Sequence, residues 1–102
     1  MLVVPSASTL KKYGLTAEAW LAIAESQGNV CAICKREPGS GRLNVDHEHV
    51  KAYKKMEVKE KPKYIRGLLC YICNFRVLTR GMTLEKARNA VIYLENYAMR
   101  KL

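Results

Sequence analysis

Cys31 and Cys34 form one Cys-x-x-Cys pair, Cys70 and Cys73 form a second, and the chain has no other cysteine. A two-residue gap lets a tight knuckle turn both sulfurs toward one ion, and four thiolates suit zinc. Residues 35–69 separate the pairs, a longer spacing than a zinc ribbon uses and the right size for a β-hairpin between two knuckles. Two disulfides or a redox pair are the competing readings. Disulfides fit poorly with a chain expected inside the cell, and redox Cys-x-x-Cys motifs come singly in a βαβ context. An iron–sulfur cluster has no supporting feature. A closed set of four thiolates leaves zinc no open position, so the metal is expected to be structural.

At 102 residues the chain is the size of one domain, read as residues 1–102. Such a small core gives thin stability, and a metal staple is a common remedy. No apolar run approaches the roughly 20 residues that a membrane span needs. The opening Met1-Leu2-Val3-Val4-Pro5 lacks a basic leader and a signal-peptide core, so an intracellular location is expected. The net charge of +9, from 18 basic and 9 acidic residues, suits a polyanionic partner. Nucleic acid is the first candidate and a membrane surface the second.

Local signals divide the chain further. Residues 1–10 carry no pattern and read as a loose lead-in. Thr16 is a good N-cap, with Leu15 and Trp20 placed for a hydrophobic staple. Ala19, Trp20, Ile23 and Ala24 form the stripe of the helix that follows, and Gly28 is placed to end it. Leu43-Asn-Val45 reads as a short strand, and Tyr64 to Leu69 as its return. Between them, Lys51 to Lys63 holds six lysines against two glutamates and reads as an exposed loop or ragged hairpin. A short helix should follow Cys73 and end near Gly81. Thr83 caps the last helix, residues 83–100, where Leu84, Ala87, Val91, Leu94 and Ala98 recur at helical spacing. That stripe is expected to pack on the Trp20 helix, with a dimer seam as the alternative.

Both histidines lie in one tetrapeptide, Asp46-His47-Glu48-His49, at a strand end. Histidine can act as a neutral base near pH 7, and a carboxylate such as Asp46 is a hard ligand for magnesium or manganese. In a regular strand His47 and His49 share one face while Asp46 points to the other. Convergence of the three therefore requires a bulge or a strand end here. Asn74 follows Cys73 directly, and on a helix the two side chains diverge by about 100°. Zinc can then hold the helix from one side while Asn74 faces the Asp46 segment from another. Taken singly, an Asp-His pair is more often a surface pair, and an Asn after a cysteine is more often a helix cap. Their joint placement beside two knuckles reverses that reading.

Tyr13-Gly-Leu-Thr16, Cys31-Ala-Ile-Cys34, Val45-Asp-His-Glu-His49, Ile65-Arg-Gly-Leu-Leu-Cys70 and Cys73-Asn74 together resemble the recombination endonuclease VII family of bacteriophages, a branch of the HNH nucleases. The match covers roughly residues 10 to 100 in order. The resemblance implies an α+β fold, a zinc-stapled ββα-metal (HNH, His-Me finger) core over residues 31–80 with helices flanking it. It implies that Asp46 and Asn74 bind a catalytic magnesium or manganese, that His47 is the general base, and that His49 positions the phosphate. DNA is the implied substrate. Lys54, Lys55, Lys63 and Arg66 are the expected backbone contacts, giving affinity rather than sequence preference. Whether the chain acts as a monomer or a homodimer, and whether a phage partner protein directs it, stays open. A non-catalytic zinc module that binds DNA or protein is the alternative function, and it has no need of Asp46, His47 and Asn74.

Overall fold

The computed structural model describes residues 1–101. Its elements run α1 (Ala7–Lys11), α2 (Ala17–Ser26), β1 (Asn44–His47), β2 (Ile65–Leu69) and α3 (Leu84–Lys101). Two short 3-10 turns, Tyr53–Lys55 and Val58–Tyr64, lie between the strands, and a π-helical turn, Cys73–Val77, follows the second. The result is a small α+β fold. No described helix is long and apolar enough to cross a membrane.

α2 forms where its caps predict. The Thr16 hydroxyl accepts the Ala19 N–H at 3.1 Å. At the other end the Gly28 and Asn29 N–H groups return to the carbonyls of Glu25 and Ala24 at 2.9 and 2.8 Å. Those two bonds are the reciprocal pair of a Schellman end, and Gly28 takes the positive φ of 74° that it demands. α2 buries Trp20 and Ala24 completely, against Leu10, Cys31, Leu43 and Leu68. Truncating a fully buried tryptophan costs about 3–5 kcal/mol, so Trp20 is the centre of this core.

The structure corrects four expectations. The first ten residues are not a loose lead-in: Ser6 caps α1, Leu10 enters the core, and the Val3 N–H donates to the Gly41 carbonyl at 2.7 Å. The Lys51–Lys63 stretch is neither hairpin nor free loop but two helical turns seated on the α1–α2 corner. Gly14 sits in that corner at φ +70°, where a Cβ would collide with the Val58 carbonyl and the Pro62 ring. Nor does α3 pack on α2. None of its described residues is buried, and Leu84 and Leu94 are 67% and 63% exposed. The buried face of α2, Trp20 and Ala24, is already taken up by Leu10, Leu43 and Leu68. At about 1.5 Å per residue α3 is some 27 Å long, a large part of the 50 Å long axis of the molecule. The helical turn after Cys73 also stops short of Gly81, at Leu78.

β1 and β2 pair antiparallel, Asn44 with Leu69, Val45 with Leu68 and Asp46 with Gly67. The Gln27 side chain then ties this ribbon to the end of α2. Its amide NH₂ donates to the carbonyls of Leu68 and Val30, both at 3.0 Å, and its oxygen accepts the Leu68 N–H at 2.8 Å. A Cβ on Gly67 would come within 2.9 Å of that oxygen.

Candidate active site and metal centre

The two knuckles bring four sulfurs together, all within 4.8 Å of one another. Cys34 Sγ and Cys70 Sγ are 3.9 Å apart. Bonds of about 2.3 Å to a tetrahedral zinc put sulfurs about 3.8 Å apart, and all four cysteines are free thiols. The Ile33 N–H points at Cys31 Sγ at 3.4 Å and the Cys73 N–H at Cys70 Sγ at 3.5 Å. Burial works to raise the Cys31 thiol, but the peptide groups of Cys70, Cys34 and Ile33 outweigh it and lower the pKa. Cys73 is pushed up, first by burial and then by the neighbouring thiols. A cation among them is what lets all four ionise together. The donor set fits zinc, and Cys31, Cys34, Cys70 and Cys73 could hold it.

The strand pair carries the second group. Past Asp46 the register slips, so that His47 faces Ile65 and Arg66 is the extra residue on β2. The irregularity falls where convergence of the Asp-His segment requires it, but the added residue belongs to the opposite strand. That residue turns onto Asp46. Arg66 Nε donates to Oδ2 at 2.7 Å and Nη2 to Oδ1 at 3.0 Å. The Asp46 side chain is buried, whereas that of Arg66 is 45% exposed. The bond to Asp46 holds Arg66 above its ordinary pKa.

His47 lies among aromatic rings. Tyr53, from the first 3-10 turn, stacks on it with ring centres 4.3 Å apart, and Tyr13 and His49 stand at 5.6 and 5.1 Å. Burial lowers its pKa below 6.5, and the His49 charge adds to that, while Asp46 opposes it. His47 is therefore the neutral imidazole at pH 7. Burial also raises the Tyr53 phenol.

These rings border a cleft of about 1010 Å³ whose charged walls are Lys12, Lys51, Lys54, Lys55, Lys61 and Arg80. No carboxylate lines it. Of the expected nucleic-acid contacts, Lys54 and Lys55 line this cleft, Lys63 is bound to Glu60 at 2.6 Å, and Arg66 is committed to Asp46. Asn74 is half-buried, and its N–H bonds the Cys70 carbonyl at 2.9 Å. Among the described residues no hydrogen bond joins its side chain to Asp46.

Sequence reasoning missed Tyr53, Lys61 and Tyr13 as neighbours of the site. An aromatic residue inside a lysine-rich stretch was the available signal for Tyr53. Nothing in the pattern separates Lys61 from the five other lysines around it.

The chain matches the family model described as recombination endonuclease VII over residues 6–96. It is 40% identical over 87 residues to the Gene 59 protein of Mycobacterium phage D29, covering 83% of this chain and 46% of that one. To the Gene 59 protein of Mycobacterium phage L5 it is 37% identical over 89 residues, covering 85% and 48%. The chain thus spans about half the length of these relatives. No solved structure is significantly similar to it.

Proposed function

The chain belongs to the recombination endonuclease VII family, a family of nucleases, and from that membership we propose a metal-dependent endonuclease of the HNH type that hydrolyses DNA phosphodiester bonds. The observation that carries the reading is His47: a neutral imidazole beside Asp46, set in a cleft that lysines and an arginine line and no carboxylate does. A histidine acting as general base must be unprotonated at working pH and must stand where a polyanion can lie.

In this mechanism His47 takes a proton from water as that water attacks phosphorus, and the 3′ oxygen departs. The products carry 5′-phosphate and 3′-hydroxyl ends. His49, one ring away, positions the phosphate, and Lys54 and Lys55 hold the backbone. Asp46 and Asn74 are the residues that would hold magnesium or manganese, which would stabilise charge on the phosphate and on the leaving oxygen. Asp46 retains the capacity for this role. A carboxylate offers about four lone-pair sites, and Arg66 takes two. Zinc on the four cysteines takes no part in the chemistry and keeps the two knuckles, and hence the site, in place. The proposed unit is one nuclease domain over residues 1–102, acting inside an infected host cell as a monomer or a homodimer.

One observation favours a second reading, a zinc-stabilised module that binds DNA or protein without cutting. Arg66 closes on the carboxylate that metal chemistry needs. Plasmid nicking with magnesium or manganese separates the two. We expect the zinc-loaded protein to nick, and His47→Ala to nick roughly 10²–10⁴-fold more slowly. A folded, zinc-loaded protein that binds plasmid and never cuts it establishes the binding module instead.

A further inference from the structure

Lys61 is the one lysine whose side chain is withdrawn from solvent among the described residues, at 8% exposure. Lysine is almost never buried without a partner, yet no ion pair or hydrogen bond reaches its ammonium among the described residues. The nearest compensation is the Tyr53 ring, whose centre lies 5.1 Å from Nζ. The residue lines the same cleft as His47, and Tyr53 touches both. The other lysines of this segment behave differently. Lys63 is spent on Glu60 at 2.6 Å, and Lys59 lies beside Glu57 at 3.5 Å, both largely in water.

We propose that Lys61 and the Tyr53 ring form a phosphate subsite for the substrate backbone, next to the phosphate attacked at His47. Three features favour an anion there over another ligand. A lysine whose stem is packed and whose ammonium ends unpaired at the wall of the cleft offers an anion a fixed positive charge. The remaining charged walls of the cleft are cationic, and no carboxylate among the described residues lines it. The segment is also fixed rather than free, because Val58 and Pro62 are clamped against Gly14. A preformed cation loses little freedom when a phosphate arrives. Lys12 and Arg80, from outside the segment, complete the wall that a strand would follow. The inference rests on the nucleic-acid substrate proposed above, and it assigns to Lys61 a contact that the exposed lysines around it were expected to make.

The test uses zinc-loaded protein in magnesium-free, manganese-free buffer without chelator, so that binding is read with cutting off. Affinity for a short fluorescent duplex is measured across a salt series for the unmodified protein, Lys61→Met and Lys59→Met. Each phosphate contact contributes about 0.9 to the slope of log affinity against log salt. Lys61→Met should lower the slope by about one contact and weaken binding roughly tenfold. Lys59→Met removes the same charge and should leave the slope unchanged. Equal behaviour of the two variants overturns the subsite. A second measurement on the unmodified protein guards against a folding defect. Inorganic phosphate, titrated against a chloride control, should shift the NMR signals of Lys61 Cε and the Tyr53 ring before those of Lys59. Shifts that are uniform over the lysines also overturn it. The subsite and the nuclease fail separately: a Lys61-dependent slope in a protein that never cuts keeps the first and removes the second, and a nuclease with a Lys61-independent slope does the reverse.

Discussion

Both oxygens of the Asp46 carboxylate are held by a single guanidinium, that of Arg66, at 2.7 and 3.0 Å. The pair joins the two strands across the bulge that Arg66 itself creates. Taking Arg66 away strips a buried carboxylate of its donors. Arg66→Ala should therefore lose about 1–3 kcal/mol in denaturant unfolding. It should also remove the cation that competes for Asp46, so manganese binding, read by electron paramagnetic resonance, should tighten roughly tenfold. Weaker manganese binding in a folded Arg66→Ala protein would show that Arg66 positions the carboxylate instead of competing for it.

The burial of His47 sets a pH dependence of definite sign. Its folded pKa lies below 6.5, so the unfolded chain takes up the proton first as pH falls. Stability is full above about pH 6.5 and declines from there toward the folded pKa. Cleavage should follow the same base, with an acid limb centred below 6.5 and a plateau through pH 7 to 8. A limb centred above 6.5 in kcat/KM against pH would assign the base to another group.

Zinc removal should unfold the domain. Four thiolates close a small core, and apparent metal-binding energies of about 10–16 kcal/mol exceed what such a core supplies. Chelation should abolish the cooperative thermal transition, and adding magnesium afterwards should restore neither fold nor cutting. Calorimetry of chelated protein that still melts near the holo midpoint would refute this.

Gly14 is a backbone requirement rather than a choice of small side chain. Gly14→Ala meets the left-handed penalty of about 1–2 kcal/mol and a collision with Val58 and Pro62 besides. The expected loss is at least 2 kcal/mol, with the Tyr53–His47 contact loosened, visible as a change in the His47 ring signals by NMR.

α3 adds little to the fold of an isolated chain, since none of its described residues is buried. A chain ended at Met82 should keep its zinc and lose no more than about 0.5 kcal/mol of stability by denaturant unfolding. A larger loss would mean that α3 covers a surface of the core.

Much of this was legible because its causes are local. The spacing of Cys31, Cys34, Cys70 and Cys73 carries the metal cluster, and Thr16 and Gly28 carry both ends of α2. The need for a bend at Asp46 followed from strand alternation. The rest depended on distant partners. An amphipathic stripe states that α3 has an apolar face but not what covers it. The pattern placed the irregularity near Asp46, yet only the pairing with β2 shows that Arg66 is the inserted residue. Six lysines in thirteen residues look alike in sequence, and it takes the seat on Gly14 to bury Lys61 among them.

The Gln27 amide has a consequence for how copies of this chain meet in solution. A two-stranded ribbon ends in bare peptide groups on both flanks, and such flanks recruit strands from other molecules. At Leu68 the outer flank of β2 is stopped: its N–H and carbonyl are already taken by Gln27, and the Ala32 N–H also bonds that carbonyl, at 3.2 Å. One side chain thus serves as a plug in the place of a third strand at this point of the ribbon's edge.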